Sequence, residues 1–171
     1  GGGLGEAQVK ALDDVDQEVA LIEPATSTDD WGRLVTAIEL IERDWHKVNP
    51  TLPALKVSLA NAFPPLTVEV PEIVFTFADE PAQLRLRWYK ISGEHDALSW
   101  VRKLHARARP PLAIIGGGTS DRAITLAYAL KNTYADPERP APVFLITTAT
   151  AEETKSRKSL IDVYKDRTFR F

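Results

Sequence analysis

A chain of 171 residues, 44% apolar and 26% charged, can bury one substantial core and stay hydrated outside it, which excludes a disordered tail or a fibre. Its formal charge is -3, with 21 basic residues spread among 24 acidic ones. There is no basic stripe to release counterions from a phosphate backbone, so no nucleic-acid partner is expected. No window reaches the ~18 uninterrupted apolar residues that cross a bilayer, so no direct membrane span is expected either.

Residues 1–17 are glycine-led, then acidic, without sustained periodicity, and read as a flexible N-terminal segment. Residues 18–171 read as one α/β lobe. Its first strand is Glu18 to Pro24, a short apolar run stopped by proline, as in a buried parallel strand. After the polar loop Ala25 to Thr28, Asp29 or Asp30 caps a helix with Trp31, Leu34, Val35, Ile38, Ile41, Trp45 and Val48 on one face, ended by Asn49-Pro50.

From Pro50 to Pro81 the pattern breaks into proline-punctuated pieces. Thr67 to Val70 and Ile73 to Phe77 read as edge strands or a hairpin in a surface β insertion. Ala82 to Tyr89 alternates apolar and polar residues like an exposed or edge strand, and a helix over Gly93 to Arg109 carries Leu98, Val101 and Leu104 inward. The clearest unit is the strand Pro111 to Ile115, the turn Gly116 to Asp121 and a helix to about Tyr134, with Ala123, Leu126, Ala127 and Leu130 facing the sheet. A fourth strand, Pro142 to Ile146, leads through Thr147 to Thr150 into a helix ending near Tyr164, and Thr168 to Phe171 is extended.

Strand–helix alternation of this kind predicts a three-layer, doubly wound, mostly parallel sheet whose ligands collect at the carboxyl ends of the strands. The loops that matter are then Ala25 to Thr28, Gly116 to Ser120 and Thr147 to Thr150. Adjacent glycines let backbone N–H groups approach a carboxylate or phosphate at a helix N-terminus; equally, they permit a tight strand-to-helix turn with Thr119 or Ser120 as cap. Thr150 and Glu153 form a capping box, a role that competes with ligand contact.

Other chemistries lack their residues. The glycine loop has Asp121 where a dinucleotide fingerprint needs its third glycine, and there is no phosphate-binding P-loop. No nucleophile elbow or base accompanies Ser120, so the chain is not expected to be an enzyme. His46, His95 and His105 are dispersed and read as surface or packing residues, and Trp31 and Trp45 as packing residues. No metal or cofactor is expected. Absence of cysteine excludes disulfides and thiolate sites without fixing the compartment. Absence of methionine, even at position 1, is read as removal of an upstream segment, which leaves room for a lost export signal.

In order and spacing the chain resembles the type I periplasmic solute-binding proteins of ABC transporters, the branched-chain amino-acid binders in particular. The resemblance rests on Val19 to Pro24 with its loop and long helix, on Ala113 to Ala123 with its glycine turn and serine, and on Phe144 to Thr150 followed by Thr168-Phe169-Arg170. It implies an extracytoplasmic protein that captures a small carboxylate or amino-acid-like ligand between two lobes and delivers it to a membrane ABC permease, with only the first lobe in this chain. A ligand-sensing receptor or interaction module on the same fold is the alternative. By the same resemblance Ser120 and Thr150 hydrogen-bond the ligand carboxylate, while Gly118, Thr119, Thr148 and Ala149 line the site. Pro50 to Pro81 has no counterpart in the simpler members, and Gly117-Gly118-Thr119 is richer in glycine than their turn.

Overall fold

The computed structural model describes residues 7–147 and 159–170. The first apolar run forms β1 (Gln17–Pro24), and α1 (Thr28–Val48) follows after a tight turn in which Ser27 N–H donates to the Pro24 carbonyl. That turn starts the helix early. Its flanking residue is Ser27, without a side-chain capping bond, so Asp29 and Asp30 do not cap it; they lie in its first turn, where negative charge meets the positive end of the helix dipole. Trp31, Val35 and Ile38 are buried, whereas Ile41 and Val48 are 51% and 74% exposed, so the apolar stripe is covered over its first half only.

Residues 50–81 supply a hairpin, but not the one expected. β2 (Leu55–Ser58) pairs antiparallel with β3 (Glu72–Phe77), while Thr67 to Val70 is a turn in which Glu69 N–H donates to the Leu66 carbonyl. Pro64, Pro65 and Pro71 flank that turn and withhold the donors a ladder would need. The hairpin extends the main sheet instead of standing apart from it, because β3 also pairs with β4 (Gln83–Ile91). The expectation of an exposed or edge strand at Ala82 to Tyr89 is corrected: β4 lies between β3 and β1.

The helix expected over Gly93 to Arg109 is shorter, α2 (Ala97–His105). Ser92 to His95 form a turn first, and the Asp96 carboxylate caps the helix by accepting from Ser99 N–H at 2.8 Å. β5 (Ala113–Gly116), α3 (Ser120–Thr133), β6 (Val143–Ile146), α4 (Leu160–Val163) and β7 (Thr168–Arg170) complete the described elements. The proposed Thr150–Glu153 capping box lies outside the described residues.

Among the described residues the seven strands form one mixed sheet in the order β2-β3-β4-β1-β5-β6-β7, parallel from β4 to β7 and antiparallel at the β2-β3-β4 edge. From β1 the chain reaches β4 on one side; from β4 it crosses to β5 on the other. Right-handed crossovers in opposite directions put their helices on opposite faces. Accordingly Trp31, Val35 and Ile38 of α1 pack with Ile73, Leu86 and Trp88 on one face. On the other, Trp100, Val101 and Leu104 of α2 and Leu126 and Leu130 of α3 pack on Ala20, Ile22, Ile114, Phe144 and Ile146. Trp31 and Trp45 do pack as expected: Trp31 stacks on Trp88 at 5.6 Å, and Trp45 meets Phe77 edge-on.

A charged cluster lies inside the sheet near the amino end of β1. Glu18, with no exposure, accepts from Arg87 Nη1 and Arg107 Nη2 at 2.7 Å each and from Tyr89 Oη at 2.8 Å. Arg87 also bonds Glu72, and Arg85 bridges Glu72 and Asp16. The arginines that give β4 its polar alternation are therefore neutralised within the protein. Residues 7–16 have no regular element and are held there by Arg107, which donates to the Lys10 carbonyl, and by Arg109, which donates to those of Asp13 and Asp16.

Candidate functional site

Strand order reverses at β1, between β4 and β5, and in open α/β sheets the crevice beyond the carboxyl ends of the strands at that point is where ligands bind. A cavity of about 400 Å³ occupies this position. Its apolar wall comes from Leu21 of β1, Trp31 and Leu34 of α1, Leu86 of β4 and Ile115 of β5. Its polar groups are Glu23, Ser27, Asp30, Gly118, Arg122 and Thr147. An apolar hollow with a few converging polar groups is the general form of a small-molecule site.

Gly117 has φ +82, the left-handed region, and this reversal turns the chain from β5 into α3. Gly118 then lies so close to its neighbours that a methyl group there would come within 2.6 Å of Arg122 Nη2 and 3.3 Å of Glu23 Oε1. The loop lies close against the ends of the Arg122 and Glu23 side chains. Its anion-binding capacity is also real, but the anion is the protein's own: Gly118 N–H donates to Glu23 Oε1 at 3.0 Å.

Glu23 ends β1 and is 8% exposed. Its Oε2 is 3.4 Å from Arg122 Nε, within ion-pair range, yet both atoms are buried and lack a hydrogen-bond partner among the described residues. Burial pushes the Glu23 carboxyl above the ordinary glutamate value. The Gly118 N–H and Arg122 oppose that shift, and the nearby Asp30 charge reinforces it.

The residues singled out from the sequence divide accordingly. Gly118 lines the cavity. The Thr119 hydroxyl caps α3, accepting from Arg122 N–H at 3.3 Å, and Ser120 is the first residue of that helix. Thr148, Ala149 and Thr150 lie outside the described residues; Thr147, just before them, lines the cavity. Sequence reasoning did not assign Glu23 or Arg122 to the site and took Asp30 only as a candidate helix cap. The signal for Glu23 was an acid at the carboxyl end of a buried strand, and for Arg122 a cation one helical turn beyond the last glycine.

Among the described residues no group of histidines and carboxylates is placed to hold a metal, and no helix is long and apolar enough to cross a membrane. His95 is buried against Trp100 and His105 meets Tyr134 edge-on, both packing roles. No family model matches the sequence, and no curated protein is similar to it.

Proposed function

We propose that this chain is a ligand-binding lobe of the type I periplasmic solute-binding kind, which captures a small carboxylate or amino-acid-like ligand for uptake through an ABC permease. The observation that supports this reading most directly is the cavity at the β1–β5 switch point, apolar on its sheet and α1 walls and polar at the α3 turn. Across the parallel strands the order is β4-β1-β5-β6-β7, with helices on both faces, as such a lobe requires. Ser120 at the start of α3 and Thr147 just after β6 border the same edge of the sheet. Closing a second lobe over this edge would expel water and complete the site.

The test is a thermal-shift screen of the 171-residue chain against amino acids, simple carboxylates and amines. A ligand at about a hundred times its Kd stabilises the native state by about 2.7 kcal/mol, which in a chain of this size raises Tm by about 5–10 °C. Leu34→Trp, which fills the cavity from α1, should abolish that shift. Unchanged melting across the panel would refute binding by this lobe on its own, and a shift that survives Leu34→Trp would refute the reading.

A further inference from the structure

Glu23 is a buried acid that the fold uses as acceptor for the Gly118 N–H and as ion-pair partner of Arg122. A neutral amide oxygen at that position could take the Gly118 N–H, yet a carboxylate is kept there at 8% exposure. One of its oxygens is satisfied; the other, Oε2, is 3.4 Å from Arg122 Nε but buried without a hydrogen bond among the described residues, and Glu23 lines the cavity. An unsatisfied buried carboxylate oxygen is costly, and an incoming donor removes the cost. Arg122 does not fill that place, since its Nε at 3.4 Å is itself unsatisfied.

The remaining charges set the sign of what fits. Asp30 is exposed and paired with Arg33, so the buried charge that lines the cavity is the Glu23 carboxylate. A carboxylate directed at the Gly118 N–H would have to displace Glu23 from that donor and face its charge. A cationic nitrogen would meet an acceptor instead, while Leu34 and Ile115 offer an apolar surface to the rest of the molecule. We infer that Glu23 is the ligand-recognising residue of this cavity, accepting at Oε2 from a primary ammonium carried on an apolar body. The inference rests on the ligand-binding reading above and adds which end of the ligand this lobe holds.

Three probes with one apolar body separate the terms: 2-phenylethylamine, 3-phenylpropanoate and phenylalanine, titrated calorimetrically into the full chain. The amine and the amino acid should bind, with the amine-free acid at least about tenfold weaker. In Glu23→Gln, whose amide oxygen still accepts from Gly118 N–H, the amine should lose about tenfold or more in affinity. Stronger binding of 3-phenylpropanoate would overturn the inference and spare the ligand-binding reading. So would amine affinity within about twofold of wild type in Glu23→Gln. If Glu23→Gln does not fold, the three wild-type affinities still decide the preferred charge. Failure of all three probes to bind overturns the inference; the separate screen with Leu34→Trp then decides whether the reading beneath it falls too.

Discussion

Replacing Glu18 by glutamine removes a charge from the interior with almost no change in volume, so its effect isolates the electrostatics of the buried cluster. In the native protein both Glu18 oxygens are used: Oε1 by Arg107, and Oε2 by Arg87, Arg107 and Tyr89. The glutamine amide would point N–H donors at guanidinium donors. Arg87, 4% exposed, would retain Glu72, but Arg107 would lose the carboxylate that both its Nη atoms contact. Removing one member of a buried ion pair costs about 3–5 kcal/mol, because the partner's charge stays buried and uncompensated. At about 2–4 °C per kcal/mol for a chain of this size, about 4 kcal/mol lowers Tm by about 8–16 °C. Urea unfolding at neutral pH, followed by tryptophan fluorescence and far-UV circular dichroism, measures the change directly if both transitions coincide and the m-value is unaltered. As a control, Arg33→Ala breaks a pair with Asp30 whose side chains are 79% and 76% exposed, and should cost less than about 0.5 kcal/mol. A loss within about 1 kcal/mol for Glu18→Gln would refute the reasoning, since the cluster would then behave as a solvated surface network.

Gly117→Ala should destabilise by about 1–2 kcal/mol, because it places a side chain at φ +82 and a methyl 2.8 Å from Ala123 Cβ; melting temperatures of the two proteins check this, and equal values would contradict the turn geometry. Acid should destabilise the fold through Asp16 and Glu72. Burial by itself would raise both carboxyls, but hydrogen bonds from Arg85 and Gln83 N–H to Asp16, and from Arg87 and Arg85 to Glu72, outweigh it and hold both below their ordinary values of 3.8 and 4.5. Groups depressed in the folded state contribute stability that is full above the unfolded values and is lost as pH falls below them. Glu23 is displaced upward and runs in the opposite sense, costing stability as pH rises above 4.5. Urea midpoints measured between pH 6 and pH 2, ~4 units spanning both ordinary values, should therefore decline below about pH 4.5, and less steeply in an Asp16→Asn/Glu72→Gln double variant; an identical decline would count against these pairings.

The parallel part of the sheet was legible because its strands are short apolar runs bounded by proline or glycine, as at Val19 to Ile22, Ala113 to Ile115 and Val143 to Ile146. What misled was β4. Leu84-Arg85-Leu86-Arg87 has the period of a strand with one wet face, and nothing local reveals that Glu18 and Glu72, 69 and 15 residues from Arg87, bury those arginines from the flanking strands. The hairpin partner of β3 was missed for a related reason: Leu55 to Ser58 alternates over only four residues, too few for periodicity to register, and the ladder to β3 is what makes it a strand. At the candidate site the glycine turn was visible as a motif. Its occupant was not, because Glu23 reads as the last residue of a strand until the sheet order brings Gly118, 95 residues away, against it.

β1 carries two buried carboxylates, Glu18 and Glu23, and their difference follows from which end and which face each occupies. Glu18 and Glu23 are five residues apart, about 16 Å along an extended strand, and an odd separation puts them on opposite faces. Glu18 looks toward the face covered by α2 and α3, where Arg87, Arg107 and Tyr89 satisfy it from neighbouring elements, so its charge serves the fold. Glu23 lies at the carboxyl end on the α1 side, where Trp31, Leu34 and Leu86 leave a hollow and one oxygen stays unsatisfied. Carboxylates this far apart, with no shared partner, couple weakly. The Glu23 carboxylate can therefore answer to a ligand without disturbing the charge cluster that holds β1, β3 and β4 together.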